Sequence, residues 1–121
     1  NLNIKTSTKV LKYHVEVADT ASKRQNGLMN RKNLPPDHGM LLVFDGLQYG
    51  RIWMKNTSIV LDIIYANDEG LITKIIRKAE PFSVKIMSSD KPVKYVLEIP
   101  SFGEDNGLIN IGNSINHCLI K

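Results

Sequence analysis

The chain has 121 residues, 42% apolar and 23% charged, the balance of one ordinary globular domain long enough to bury a core without covalent staples. Its single cysteine, Cys118, excludes an intrachain disulfide and any multi-cysteine zinc site. Sixteen Lys and Arg against twelve Asp and Glu give a net charge of +4, but the cations are scattered with no run of four, so a nucleic-acid partner is not expected.

The chain opens at Asn1 rather than methionine, and residues 1–9 have the polar, Thr- and Ser-containing character of a segment behind a removed signal peptide or tether. An exported protein of the periplasm or cell envelope is expected, with residues 1–10 a polar extension and residues 11–121 one domain. No stretch reaches the roughly 18 apolar residues of a membrane helix. Residues 12–17 alternate, with Tyr13, Val15 and Val17 on one face and His14 and Glu16 on the other, which predicts a half-buried strand. Thr20 can cap a short helical turn ending at Asn26, with Gly27 as its stop. Leu34-Pro35-Pro36-Asp37 is a loop, because consecutive prolines remove donors and restrict the residue before them.

The apolar run 40–44 predicts a buried strand, and 51–55 a second one after Asp45-Gly46 and Gly50. Residues 61–66 and 71–78 flank Asn67-Asp68-Glu69-Gly70, a hairpin turn in which Gly supplies a positive φ. The second of these strands is apolar on both faces at 72–77, which points to a central place in the sheet. Pro81 opens an irregular stretch, residues 93–99 alternate again, and 114–120 predict the last strand, with Cys118 a small core residue. About seven short strands, rich in fourteen Ile and eight Val, make the fold class all-β: a single-domain β-sandwich or jelly-roll-like barrel with one or two short helical turns.

Four marks stand out from this pattern. They are Arg24-x-x-Gly27-Leu28-Met29-x-Arg31 after Ala18-Asp19-Thr20, then Gly39-Met40-Leu41, then Trp53-Met54-Lys55-Asn56-Thr57 with Leu61-Asp62, and Glu98 within the alternating strand. In these motifs the sequence resembles domain-of-unknown-function family 192, small bacterial and archaeal proteins that are often exported. Val60 and Asp45 depart from it at turn positions where that family favours proline. The resemblance implies a compact β-sandwich with little helix, and it implies no reaction.

The chemistry must therefore come from the residues. Asp62 and Glu98 are carboxylates inside apolar strands, where a charge needs a partner or an open cleft. Arg24, Arg31 and Lys55 are the available cations, so Arg31 or Lys55 neutralising Asp62 or Glu98 is the plain structural expectation. The functional expectation is a concave site lined by Arg31, Trp53, Lys55, Asn56, Thr57, Asp62 and Glu98, in which a small polar ligand or carbohydrate stacks on Trp53. Catalysis by Asp62 and Glu98 as a polysaccharide-type hydrolase is the first alternative, since paired carboxylates can act as acid and base. Cu(I) binding by Met29, Met40 and Met54 is the second, thioethers being soft ligands. His14, His38 and His117 are too dispersed to be read as metal ligands. A monomeric binding or accessory module without cofactor or metal is the expected whole.

Overall fold

The short alternating segments and β-branched content give strands along nearly the whole chain in the computed structural model, which describes residues 1–120. They are β1 (Leu2–Lys5), β2 (Val10–Ala18), β3 (His38–Ile52), β4 (Leu61–Ala66), β5 (Ile72–Ala79), β6 (Met87–Pro100) and β7 (Ser114–Asn116). One helix, α1 (Ala21–Asn26), and a 3-10 turn at Asn106–Leu108 complete the elements. The all-β expectation with one or two helical turns holds.

All seven strands belong to one sheet of order β5-β4-β6-β3-β2-β1-β7. Every neighbouring pair is antiparallel except β2 and β3, which run parallel because α1 lies in the crossover between them. The sheet curls until its two edges meet: Leu71 bridges Ser114, the Ile72 amide donates to the Asn113 carbonyl at 2.9 Å, and the Ile115 amide donates to the Gly70 carbonyl at 2.8 Å. A curled sheet has an inside and an outside, and alternate residues divide between them. Inside lies a core to which every strand contributes, including Leu2, Leu11, Leu41, Ile64, Ile72, Leu97 and Ile115. Outside, over β3, β4 and β6, a second core of Met40, Leu42, Ile63, Tyr65 and Val96 is covered by Leu28, Met54 and Ile59 from the connections.

Several local expectations change. Residues 1–10 are not a polar extension: Leu2 and Ile4 are fully buried, and β1 pairs with both β2 and β7. Two apolar residues at period two are too short a signal to stand out among polar neighbours. The strands expected at 40–44 and 51–55 are one long strand, β3, kept continuous by irregular register around Val43–Gln48 and Tyr49–Arg51. That strand ends at Ile52, so Trp53 and Lys55 lie in the connection that follows it. β5 is at the end of the sheet order, not in its centre. Its Ile75 packs against the inner core and its Ile76 against the outer one, both partly buried. The last strand stops at Asn116, and Cys118 is exposed rather than buried.

Candidate functional site

The outer face of β6 carries Glu98 between two cross-strand neighbours, Met40 on β3 and Ile63 on β4. These are core residues, so the strand alternation drives a carboxyl group into an apolar layer. Glu98 is only 5% exposed. Among the described residues it has neither an ion pair nor a side-chain hydrogen bond. Burial alone therefore pushes its carboxyl up from 4.5 to about 7, because the charged form loses water and gains no partner.

What keeps Glu98 from being sealed is a cleft of about 330 Å³ above it, lined by α1, by the connection after it and by residues 51–54 with Thr57. α1 forms over Ala21–Asn26 because Thr20 caps it: its side chain accepts from the Lys23 amide at 3.2 Å. The helix stops at Gly27, whose φ of +47° and ψ of −128° are accessible to glycine and strained for other residues. The missing side chain also leaves room. A Cβ at Gly27 would stand 3.5 Å from Glu98 Oε1. Leu28, Leu42, Ile52, Met54 and Leu61 make the walls apolar, and Trp53 and Thr57 border the opening.

The far side of the cleft is positive. Arg24 donates from Nη1 to the Val43 carbonyl at 2.8 Å, lies over the Phe44 ring at 5.5 Å and has Asp45 3.9 Å away. Arg51 lies over the Tyr49 ring at 6.0 Å. Both line the same cleft as Glu98, yet neither comes within ion-pair distance of it.

The connection after β3 is held by backbone bonds. The Met54 amide donates to Ser83, the Phe82 amide donates to Thr57, and the Asn30 amide donates to Asn56. Asn56 itself has φ +54°, a left-handed conformation that asparagine tolerates better than most residues. Thr57 is buried, and its hydroxyl donates to the Lys55 carbonyl at 3.0 Å. The Lys55 ammonium lies 5.1 Å from the centroid of the Trp53 ring, so one face of the indole already carries a cation.

Of the seven expected site residues, the structure thus brings Trp53, Thr57 and Glu98 to one cleft and leaves Arg31, Lys55, Asn56 and Asp62 out of its lining. Arg31 forks onto both oxygens of Glu16 at an exposed edge, with Nη2 to Oε1 at 2.8 Å, and so neutralises neither Asp62 nor Glu98. That pairing holds the Glu16 carboxyl below its usual range. Asp62 is 3% exposed and belongs to the inside of the curl. It accepts from the Lys78 amide at 2.9 Å and from Asn106 Nδ2 at 3.2 Å, while Asn106 Oδ1 accepts from the Tyr13 hydroxyl at 2.9 Å. Burial first, then the nearby carboxylates of Asp105 and Asp62, push the Tyr13 phenol up to about 12.

Asp62 and Glu98 cannot act as a pair. In the β4–β6 register Asp62 stands opposite Ile99 and Glu98 opposite Ile63, so the two carboxylates point to opposite faces of the sheet. The hydrolase alternative fails on this geometry. Among the methionines, Met40 and Met54 are core residues, and Met29 and Met54 border the cleft. Core filling accounts for Met40 and Met54. The residues that sequence reasoning left out of the site include Arg24, Gly27, Phe44 and Arg51. Gly27 and Arg24 were visible as parts of one motif, but Arg51 carried no signal.

The sequence profile of domain of unknown function 192 (DUF192), described as uncharacterized ACR, matches residues 2–117. A crystal structure of a candidate transcription regulator from Sinorhizobium meliloti 1021 is 34% identical with a TM-score of 0.91, over 95% of this chain and 90% of that one. A protein of unknown function from Novosphingobium aromaticivorans DSM 12444 is 26% identical with a TM-score of 0.90, over 96% of this chain and 83% of that one. No curated protein matches the chain.

Proposed function

The chain belongs to the DUF192 family, and we propose that it serves as a small-molecule binding module whose site is the cleft over Glu98. The observation that carries this reading is the carboxyl itself: a buried, unpartnered acid at the floor of an open apolar cleft. A purely structural position would take a leucine or a glutamine there, because burying an acid without a partner destabilises the fold. An apolar pocket with a few fixed polar groups is the usual form of a small-ligand site. The favoured ligand is amphipathic, with a hydrogen-bond donor for Glu98 and an apolar body for Leu28, Leu42 and Met54. Stacking of a sugar on Trp53 is less favoured, since Lys55 occupies one ring face.

The regulator description of the Sinorhizobium protein is not carried over. A nucleic-acid face needs clustered cations, whereas here they are scattered along the chain with no run of four. The test is an amide and indole NMR titration with hexan-1-ol and hexylamine. Saturable shifts at Gly27, Leu28, Thr57 and the Trp53 indole N–H support the cleft. Absence of saturation, or shifts clustered elsewhere, refutes it.

A further inference from the structure

Resting on the cleft as the binding site, we infer that its ligand is a small primary amine that also carries an anionic group, with the ammonium on Glu98 and the anion at the Arg24–Arg51 rim. The argument is the placement of charge. A cluster that existed to neutralise itself would bring an arginine onto the buried carboxylate. Two arginines border this cleft, and both are held off it by other partners. Arg24 is tied to the Val43 carbonyl and the Phe44 ring with the exposed Asp45 carboxylate 3.9 Å away, and Arg51 lies against Tyr49.

The result is a negative floor, apolar walls and a positive rim in a space of about 330 Å³, the small end of ligand pockets. A molecule of matching polarity has its cation inward, its anion outward and methylenes or a ring between. The ammonium supplies the counter-charge that the protein withholds from Glu98, and that pairing is strengthened because the carboxyl is only 5% exposed among apolar walls. Arg24 keeps guanidinium N–H groups beyond the one bound to Val43, and Arg51 makes no side-chain hydrogen bond among the described residues, so both have donors for an anion. A simple anion is disfavoured at the floor and a simple alkylamine is only half matched. An amino acid, with its two charges separated by carbon, fits both ends.

The experiment compares hexylamine, hexan-1-ol, hexanoate, 4-aminobutanoate and 6-aminohexanoate on the whole chain at pH 8 by calorimetry, with Trp53 fluorescence as the second readout. Hexylamine is expected to bind at least about tenfold tighter than hexan-1-ol, or about 1.4 kcal/mol. One of the two amino acids is expected to bind tighter still. Glu98→Gln should erase the amine's advantage over the alcohol. Arg51→Gln, a change at the rim, should erase only the amino acid's advantage over hexylamine. If the alcohol equals the amine, or Glu98→Gln leaves the order unchanged, the ammonium assignment is wrong while the cleft stands. If neither amino acid exceeds hexylamine, the anionic end is wrong. If no probe saturates, the alcohol included, the cleft itself is not a site.

Discussion

Replacing Glu98 by glutamine keeps the shape of the side chain and removes its charge, so it isolates the energy of holding a carboxyl in the outer core. In the unfolded chain the group titrates near 4.5, and in the fold burial raises it to about 7. Its folded value lies above its unfolded value, so between those limits the native state binds more protons and stability falls as pH rises. The loss begins near pH 4.5 and is complete above pH 7, and at about 1.4 kcal/mol per pH unit it reaches about 3 kcal/mol. Glu98→Gln escapes it. The variant is expected to match the wild type within about 1 kcal/mol at pH 4, the allowance for an imperfectly paired amide. It is expected to exceed the wild type by about 2–3 kcal/mol at pH 8. Urea unfolding of both proteins at pH 4, 6 and 8 measures this, and taking the difference removes every other titrating group. The exception is Tyr65 on the same face, whose phenol is raised by burial first and by the Glu98 charge second and which stays protonated across this pH range. A difference that does not vary with pH would show that Glu98 is solvated or paired, and the reasoning about the cleft floor would fail.

Asp62→Ala removes the acceptor of two buried donors, the Lys78 amide and the Asn106 side chain, and should destabilise the fold by about 2–4 kcal/mol in the same assay. A change below about 0.5 kcal/mol, the range of surface sites, would contradict the buried network. Gly39→Ala should be worse than its size implies, by at least about 2 kcal/mol, because the new Cβ would lie 2.4 Å from the Glu98 carbonyl where β3 meets β6. A neutral outcome would mean that these central strands separate easily. Arg31→Ala breaks an exposed pair with Glu16 and should change stability by less than about 1 kcal/mol. A larger loss would make Arg31 part of the core framework.

The strands were legible in the sequence where one face is buried and the other wet, as at Tyr13, Val15 and Val17. They were illegible where the curl altered that rule. β5 is apolar on both faces although it lies at the end of the order, because Ile75 packs on the inner core and Ile76 on the outer one. Leu2 and Ile4 were hidden by brevity. In the site, Trp53, Thr57 and Glu98 were picked out by residue type, since an acid or a lone aromatic among apolar neighbours is rare enough to notice. The companions assigned to them were misplaced for a reason of geometry. Asp62 and Glu98 look alike in sequence, and only the register, with Asp62 opposite Ile99, sends them to opposite faces. Arg31 looks like a site cation in sequence because its true partner, Glu16, sits on the solvent face of β2. Register and curl are long-range facts that local periodicity does not encode.

The most direct test of the cleft is the carboxyl of Glu98 followed by ¹³C NMR as a function of pH, alone and with saturating hexylamine. The account predicts a midpoint near 7 in the free protein. With the amine bound the midpoint should fall by at least about one pH unit, equivalent to about tenfold in affinity. A midpoint near 4.5 in the free protein, or one that saturating amine leaves in place, would contradict an unpartnered acid waiting for a cationic ligand.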